Sequence, residues 1–410
     1  MHRLSRWYPL AFVLLLPCAA GAQAPATPAA APGAAAPDLE RIARNLVELS
    51  AHVQQGEIVM ITGRAHDTEL LENIAVHVRR QGAFPILLTG SDRLQSRMLR
   101  EIPEQFDSQT PRANLKLAEI VDAVISVDGP GSDSLAGVLT PTRVAARAKA
   151  GLPVAKLMEQ RKVRVVNLGN DLYPSPMLAR NSGVDEATLS RLFWSGAAVE
   201  PTRLAARAKG VQQALSAGRE VRVTHPNGTD LRFRIEGRPA LASDGEISAE
   251  DRQRGAGATT VWLPAGEVYV TPVAGSAKGR LVVPRHRARG QDVTGLSLRL
   301  ENGKVTEATA ASGLEAWKPD YDAAGAGKDE LSVLDIGVND AMRIPEGSRL
   351  TPWVADGMVT LSIGSNVWAG GQNMSEFGDS FHLPGATVTV DGRPLVKAGR
   401  LQAGSQAAAR

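Results

Sequence analysis

The feature that most narrows the folding options is an alternation of short apolar runs with helical segments between residues 57 and 168. The runs are 57–62 (EIVMIT), 84–88 (FPILL), 121–127 and 163–168, each of a length and apolarity that suits a buried strand. Between the first two, residues 67–81 place Leu70, Leu71, Ile74 and Val78 at helical spacing and stop at Gly82. Residues 142–160 read as a second helix, and Leu39, Ile42, Leu46 and Leu49 mark an earlier one that ends at Gln55-Gly56. Strands separated by helices need crossover connections, so a mainly parallel sheet covered on both faces is expected. Asp128-Gly129-Pro130 reads as a turn after the third strand.

After two more helical segments, 185–194 and 202–216, the texture changes. Short strand patterns at 221–224, 231–235, 268–271, 280–283, 296–300 and 387–390 are punctuated by Asn227-Gly228, Glu236-Gly237, Asp244-Gly245, Asn302-Gly303 and Asp391-Gly392. The expected fold class is therefore an α/β N-terminal domain over 38–218, with a mainly parallel sheet. A β-rich α+β C-terminal domain follows over 219–401, with a frayed tail at 402–410. No solenoid-like repeat is present.

The N-terminus predicts export. Arg3 and Arg6 precede an apolar run at 10–16, and Ala20-Gly21-Ala22 offers a cleavage site before Gln23, so 1–22 reads as a signal peptide. The run is too short to cross a hydrocarbon core, which needs about 20 residues. Lipid attachment at Cys18 is an alternative that Pro17 disfavours. Residues 23–37 (QAPATPAAAPGAAAP) hold no long apolar side chain and read as a disordered Ala/Pro tether. A periplasmic or secreted location follows, without a membrane anchor after cleavage. Cys18 is the only cysteine, so the mature chain has no disulfide to form. Without Arg3 and Arg6, 44 basic residues face 43 acidic ones. With no basic run interleaved with aromatics, nucleic acid is not an expected partner.

Few motifs carry chemistry. There is no CxxC, HExxH or P-loop; Gly129, Gly131 and Gly137 are not spaced as a phosphate cradle, and Ser126 and Ser134 lack a GxSxG elbow. His52, His66, His77, His225, His286 and His382 contain no pair at metal-ligand spacing. His66 reads as a capping or surface residue, His77 as solvated on a polar helix position, and His286, between Arg285 and Arg287, as badly placed for a cation. His382, behind Glu376 and Asp379, has the one acidic, glycine-rich neighbourhood. Glu267 follows Leu263-Pro264-Ala265-Gly266, where rigid turn residues lead into a strand and can hold a carboxylate with little freedom.

Several stretches resemble the thermophilic-type metallo-aminopeptidases, the family of aminopeptidase T and aminopeptidase S, or M29 peptidases. They are VRVTHPNGTDLRFRIEGRPA (221–240), WLPAGEVYVTPVAGSAKG (262–279), QQGEIVMITG (54–63), GAFPILL (82–88), SVLDIGVN (332–339) and GMVTLSIGSNVWAGGQNMS (357–375). The resemblance implies two metal ions, zinc or cobalt, held between the domains by two glutamates, two histidines and an aspartate. It lays the first glutamate on Glu267. It lays the second on Val333, the first histidine on Thr360, and the last pair on Gly378 and Ser380. The family's catalytic tyrosine falls near Val367 or Trp368. Valine, threonine, glycine and serine do not replace carboxylates and imidazoles around two cations. A rearranged site from Glu267, Asp335, Asp379 and His382 is the alternative.

The expected function is that of an exported aminopeptidase-like protein lacking most of the family's ligands. Dinuclear peptidase activity is not expected, and a peptide or small molecule is the expected occupant of the interdomain cleft. An active periplasmic metallo-aminopeptidase with a rearranged metal site is the other reading. No cofactor is expected; if the chain is active, it needs zinc or another divalent metal. The resemblance also implies a homodimer.

Overall fold

The computed structural model describes residues 37–127, 141–375 and 377–402. The segments read as an export signal and tether, as far as Ala36, with Cys18 among them, and the expected turn at 128–130, Gly131, Ser134, Gly137, Glu376 and the residues beyond Gln402 lie outside the described residues. The alternating segment folds as expected: strands β1 (Ile58–Arg64), β2 (Phe84–Gly90), β3 (Ala123–Val127) and β4 (Arg164–Leu168) pair in parallel. Successive residues of a strand point to opposite faces, and each face has its own helices. Val59, Ile61, Ile125 and Val166 pack with Leu70, Leu71, Ile74 and Val78 of the helix Thr68–Arg80. Met60, Val124 and Val165 meet Ala118, Val154 and Met158 of the helices Arg112–Ile120 and Pro141–Gln160.

The chain then builds β5 (Glu220–His225), β6 (Thr229–Arg234) and β7 (Ala240–Ser243) outside the parallel sheet. It returns as β8 (Thr260–Leu263), which pairs in parallel with β4 and completes the order β2-β1-β3-β4-β8. This corrects the expected boundary. Residue 219 marks where antiparallel structure begins, but the parallel sheet does not end at 218; its edge strand arrives about 90 residues after β4, a span of the kind a two-domain chain of this length allows. The four residues of β8 are too short a run for a hydrophobic pattern to reveal which sheet they join.

The remaining strands are β9 (Glu267–Val270), β10 (Lys278–Ala288), β11 (Gln291–Glu301), β12 (Lys304–Thr309), β13 (Leu331–Gly337), β14 (Val359–Gly364), β15 (Gly378–Leu383), β16 (Thr387–Val390), β17 (Arg393–Lys397) and β18 (Arg400–Leu401). They complete two antiparallel sheets, β12-β11-β10-β6-β5-β16-β17-β18 and β15-β14-β13-β9-β7. Between these sheets lies one core that includes Phe233, Leu281, Leu298, Leu334, Ile336, Leu361 and Phe381. Each such side chain stabilises the fold by about 1.5–3 kcal/mol relative to exposure.

His77 departs from its expected place. It is 4% exposed, with Nε2 3.1 Å from Glu40 Oε1, because the helix Leu39–Arg44 covers the polar side of its own helix. His66 stays exposed beside Asp67, as expected.

Candidate functional site

The antiparallel sheet β15-β14-β13-β9-β7 carries the residues singled out from the sequence, and its register assigns each to a face. Directly opposed residues on neighbouring strands share a face. Glu267 lies opposite Gly337, and Tyr269 opposite Asp335. Asp335 in turn faces Thr360, and Thr360 faces His382. One step along, Val333 faces Ser362, Ser362 faces Ser380, and Gly364 faces Gly378. Glu267, Val333, Asp335, Thr360, Gly378, Ser380 and His382 therefore occupy one surface, here called the upper face. The lower face carries Val268, Val270, Leu334, Ile336, Leu361 and Phe381 into the core.

A bulge makes this arrangement possible. The register shifts between Leu331 and Val333, so Leu331 pairs with core-facing Ile363 while Val333 pairs with Ser362. In a regular strand, residues 331 and 333 would point the same way; the extra residue turns Val333 to the upper face.

Asp379 is not on that face. It pairs with Ile363 and points into the core. Trp317 Nε1 donates to its Oδ2 at 2.7 Å, Ser380 N donates to its Oδ1 at 2.8 Å, and His286 Nε2 stands 2.9 Å from Oδ2. The alternative site of Glu267, Asp335, Asp379 and His382 is thus divided: three of these share the upper face, and Asp379 points to the opposite side. His286 gains a role that its arginine neighbours hid, since it alternates inward on β10 while they do not.

The start of β9 is held as its turn sequence suggested. Val338 N donates to Gly266 O at 2.8 Å, and Gly266 N donates to Ser243 O at 2.9 Å. Asn339 Nδ2 donates to Ala265 O at 2.7 Å. Opposite Glu267, a Cβ on Gly337 would stand 2.1 Å from Ala355 O, so glycine there lets the chain cross closely above the sheet.

Two carboxylates are thereby set in a largely enclosed place, Glu267 at 4% and Asp335 at 2% exposure. They are diagonal neighbours, about 7–8 Å apart at the backbone. His382 lies two strands from Asp335, about 10 Å away along the sheet. Thr360 Oγ1 and His382 Nδ1 share a hydrogen bond of 2.9 Å, and Ser362 Oγ and Ser380 Oγ one of 2.7 Å. Trp353, part of the parallel-sheet core, stacks on His382 at 6.2 Å between rings. Trp368 leans on Tyr269 at 5.2 Å. These two tryptophans and Tyr269 were not anticipated as walls; the tryptophans lie outside the strands, and Tyr269 sits in a strand too short to show its facing. Among the described residues, no three His, Cys, Asp or Glu side chains are grouped so as to hold a metal ion.

The arrangement offers carboxylates and hydroxyls as acceptors, one imidazole, and aromatic walls. The thermophilic metalloprotease (M29) family model matches residues 35–323. Glu267 falls inside that match; Val333, Asp335, Thr360, Gly378, Ser380 and His382 fall beyond its end. Among solved structures, wild-type AmpT from Thermus thermophilus is similar, with a TM-score of 0.69, 20% identity, and coverage of 89% of this chain and 98% of that one. A 2,5-dihydroxypyridine dioxygenase from Pseudomonas putida KT2440 is also similar, with a TM-score of 0.55, 14% identity, and coverage of 90% and 97%. At these identities the likeness is one of fold. No curated protein is matched by sequence.

Proposed function

The chain belongs to the thermophilic metalloprotease (M29) family, and on that premise we propose that it keeps the aminopeptidase frame while binding a peptide or small molecule in the cleft above Glu267. In this reading it does not carry out dinuclear metal hydrolysis. The observation that carries it is the set of side chains on the upper face at the five positions where the family resemblance lays ligands. One is a carboxylate, Glu267; the others are Val333, Thr360, Gly378 and Ser380. Two divalent ions need several anionic or imidazole donors, both to be held and to acidify a bridging water. Ser380 is engaged with Ser362, and Thr360 with His382. The donors present do not fit a metal pair, and no hydrolytic step is derived through one.

A second reading is favoured by one placement. Glu267, Asp335 and His382 do reach the same face, the placement from which an active metallo-aminopeptidase with a rearranged site would have to draw them together around one ion. Metal analysis after zinc loading and dialysis separates the two, together with hydrolysis of amino-acid anilides. The binding reading expects neither retained metal nor cleavage. About one equivalent with cleavage supports the rearranged enzyme, and two firmly held ions overturn the proposal outright. The same reading makes the mature protein a periplasmic or secreted homodimer; sedimentation at micromolar concentration giving a stable monomer would reject the dimer.

A further inference from the structure

A second cluster of titratable groups lies away from the upper face, where the loop after β7 crosses to the parallel-sheet half. His52 Nε2 stands 2.8 Å from Glu246 Oε1, each side chain about a third exposed. His52 adopts a left-handed backbone, φ +45°, which non-glycine residues rarely keep unless the surroundings impose it. Here Arg164 imposes it, donating through Nη1 to Ala51 O at 2.6 Å and to His52 O at 2.7 Å. The imidazole is thus fixed toward the loop. From the loop's side, Ile247 N donates to Ser50 O at 3.0 Å, and its side chain is buried in the parallel-sheet core. Gly245 passes so close to the end of β8 that a Cβ would stand 3.1 Å from Leu263 and 3.3 Å from Ala265.

We propose that loop 244–247 is a pH-operated latch, clamped onto the parallel-sheet half in acid and loosened as the solution turns neutral. The contact between His52 and Glu246 ties the loop to the parallel-sheet half, and Asp244 beside it supplies the response to pH. Asp244, two residues from Glu246, is half-buried; burial pushes its carboxyl up to about 6, and the charges of Glu246 and Asp251 add to the rise. The hydrogen bond from Glu246 N to Asp244 Oδ1, 3.1 Å, opposes that rise. On the acid side Asp244 is neutral. Above its midpoint a half-buried carboxylate is left beside the charges of Glu246 and Asp251. The other charges facing the loop are fixed in pairs: Arg164 with Glu57, and Arg254 with Asp251. Lys162 donates to Gln253 O. The loop continues through the helix Ala249–Arg254 into β8 and then Glu267, so loosening it frees the lead-in to the upper face.

Hydrogen exchange of the full chain tests this at pH 5 and pH 8, with rates corrected for the intrinsic pH dependence. Protection of residues 244–250 is expected to fall about tenfold at the higher pH, inside the roughly hundredfold ceiling that a two-unit shift sets. The double variant His52→Asn, Asp244→Asn is expected to show no pH dependence. Asparagine tolerates the left-handed backbone and can keep the acceptor for Glu246 N, so the fold persists; unchanged protection of β13 reports that. Equal protection of the wild-type loop at both pH values overturns the latch, as does pH dependence that survives in the double variant.

Discussion

At the scale of single residues, two carboxylates with opposite surroundings make opposite predictions. Asp244 has its carboxyl raised to about 6, chiefly by burial. A raised acid favours the folded state while protonated, and that contribution disappears as pH climbs through about 6. Asp244→Asn removes the penalty of the ionised form. It is expected to stabilise the protein by about 1–2 kcal/mol at pH 8, allowing for partial solvent screening, and to give no gain at pH 4. Thermal melts at the two pH values check this; an equal shift at both would contradict it. Asp379 is the converse, a buried acceptor for Trp317 with His286 alongside. Asp379→Ala leaves those groups buried without it and is expected to cost about 3 kcal/mol in urea unfolding. Ser380→Ala, one residue away on the other face, is expected to cost under about 1.5 kcal/mol. Glu267 was legible in the sequence because a rigid turn ahead of a strand is a local signal. The burial of Asp379, His286 and His77 was not, because each is decided by a partner more than 30 residues away.

At the scale of elements, the upper face is a product of register, and register is where sequence reading ran out. LSVLDIG at β13 is buried along its whole length, so its hydrophobic pattern cannot reveal which residues face the core. The bulge that turns Val333 upward leaves no compositional trace. Yet the positions laid out by family resemblance, on four strands, do arrive on one surface. That supports a reconstruction. Val333→Glu, Thr360→His, Gly378→His and Ser380→Asp together are expected to bring zinc retention to about one equivalent or more at micromolar metal. The metal-free variant should be less stable than wild type by about 2–4 kcal/mol, since buried charge then lacks a partner. Calorimetric zinc titration of both proteins decides it; a reconstructed chain as indifferent to zinc as the parent would mean that the face does not have a metal-site geometry.

At the scale of the whole molecule, the two halves are not separable in the way that a boundary at residue 218 suggested. Beyond β4 the parallel sheet needs β8, and β8 runs directly into β9 of the antiparallel sheet through Pro264, Ala265 and Gly266. The core of the parallel half also draws on Met342, Leu350, Trp353, Val354 and Met358. A fragment of residues 37–218 would lose the edge partner of Val165, Val166 and Leu168 and uncover Phe193 and Leu204 in that core. At about 1.5–3 kcal/mol for each buried apolar side chain, the loss is of the same size as the 5–15 kcal/mol by which ordinary domains are stable. The fragment is therefore expected to show no cooperative thermal transition by circular dichroism, whereas the chain from residue 37 to 402 melts in one step. A sharp, reversible melt of 37–218 alone would show that β8 is an accessory edge. It would also remove the reason to expect that a change at loop 244–247, which feeds that strand, is felt at Glu267.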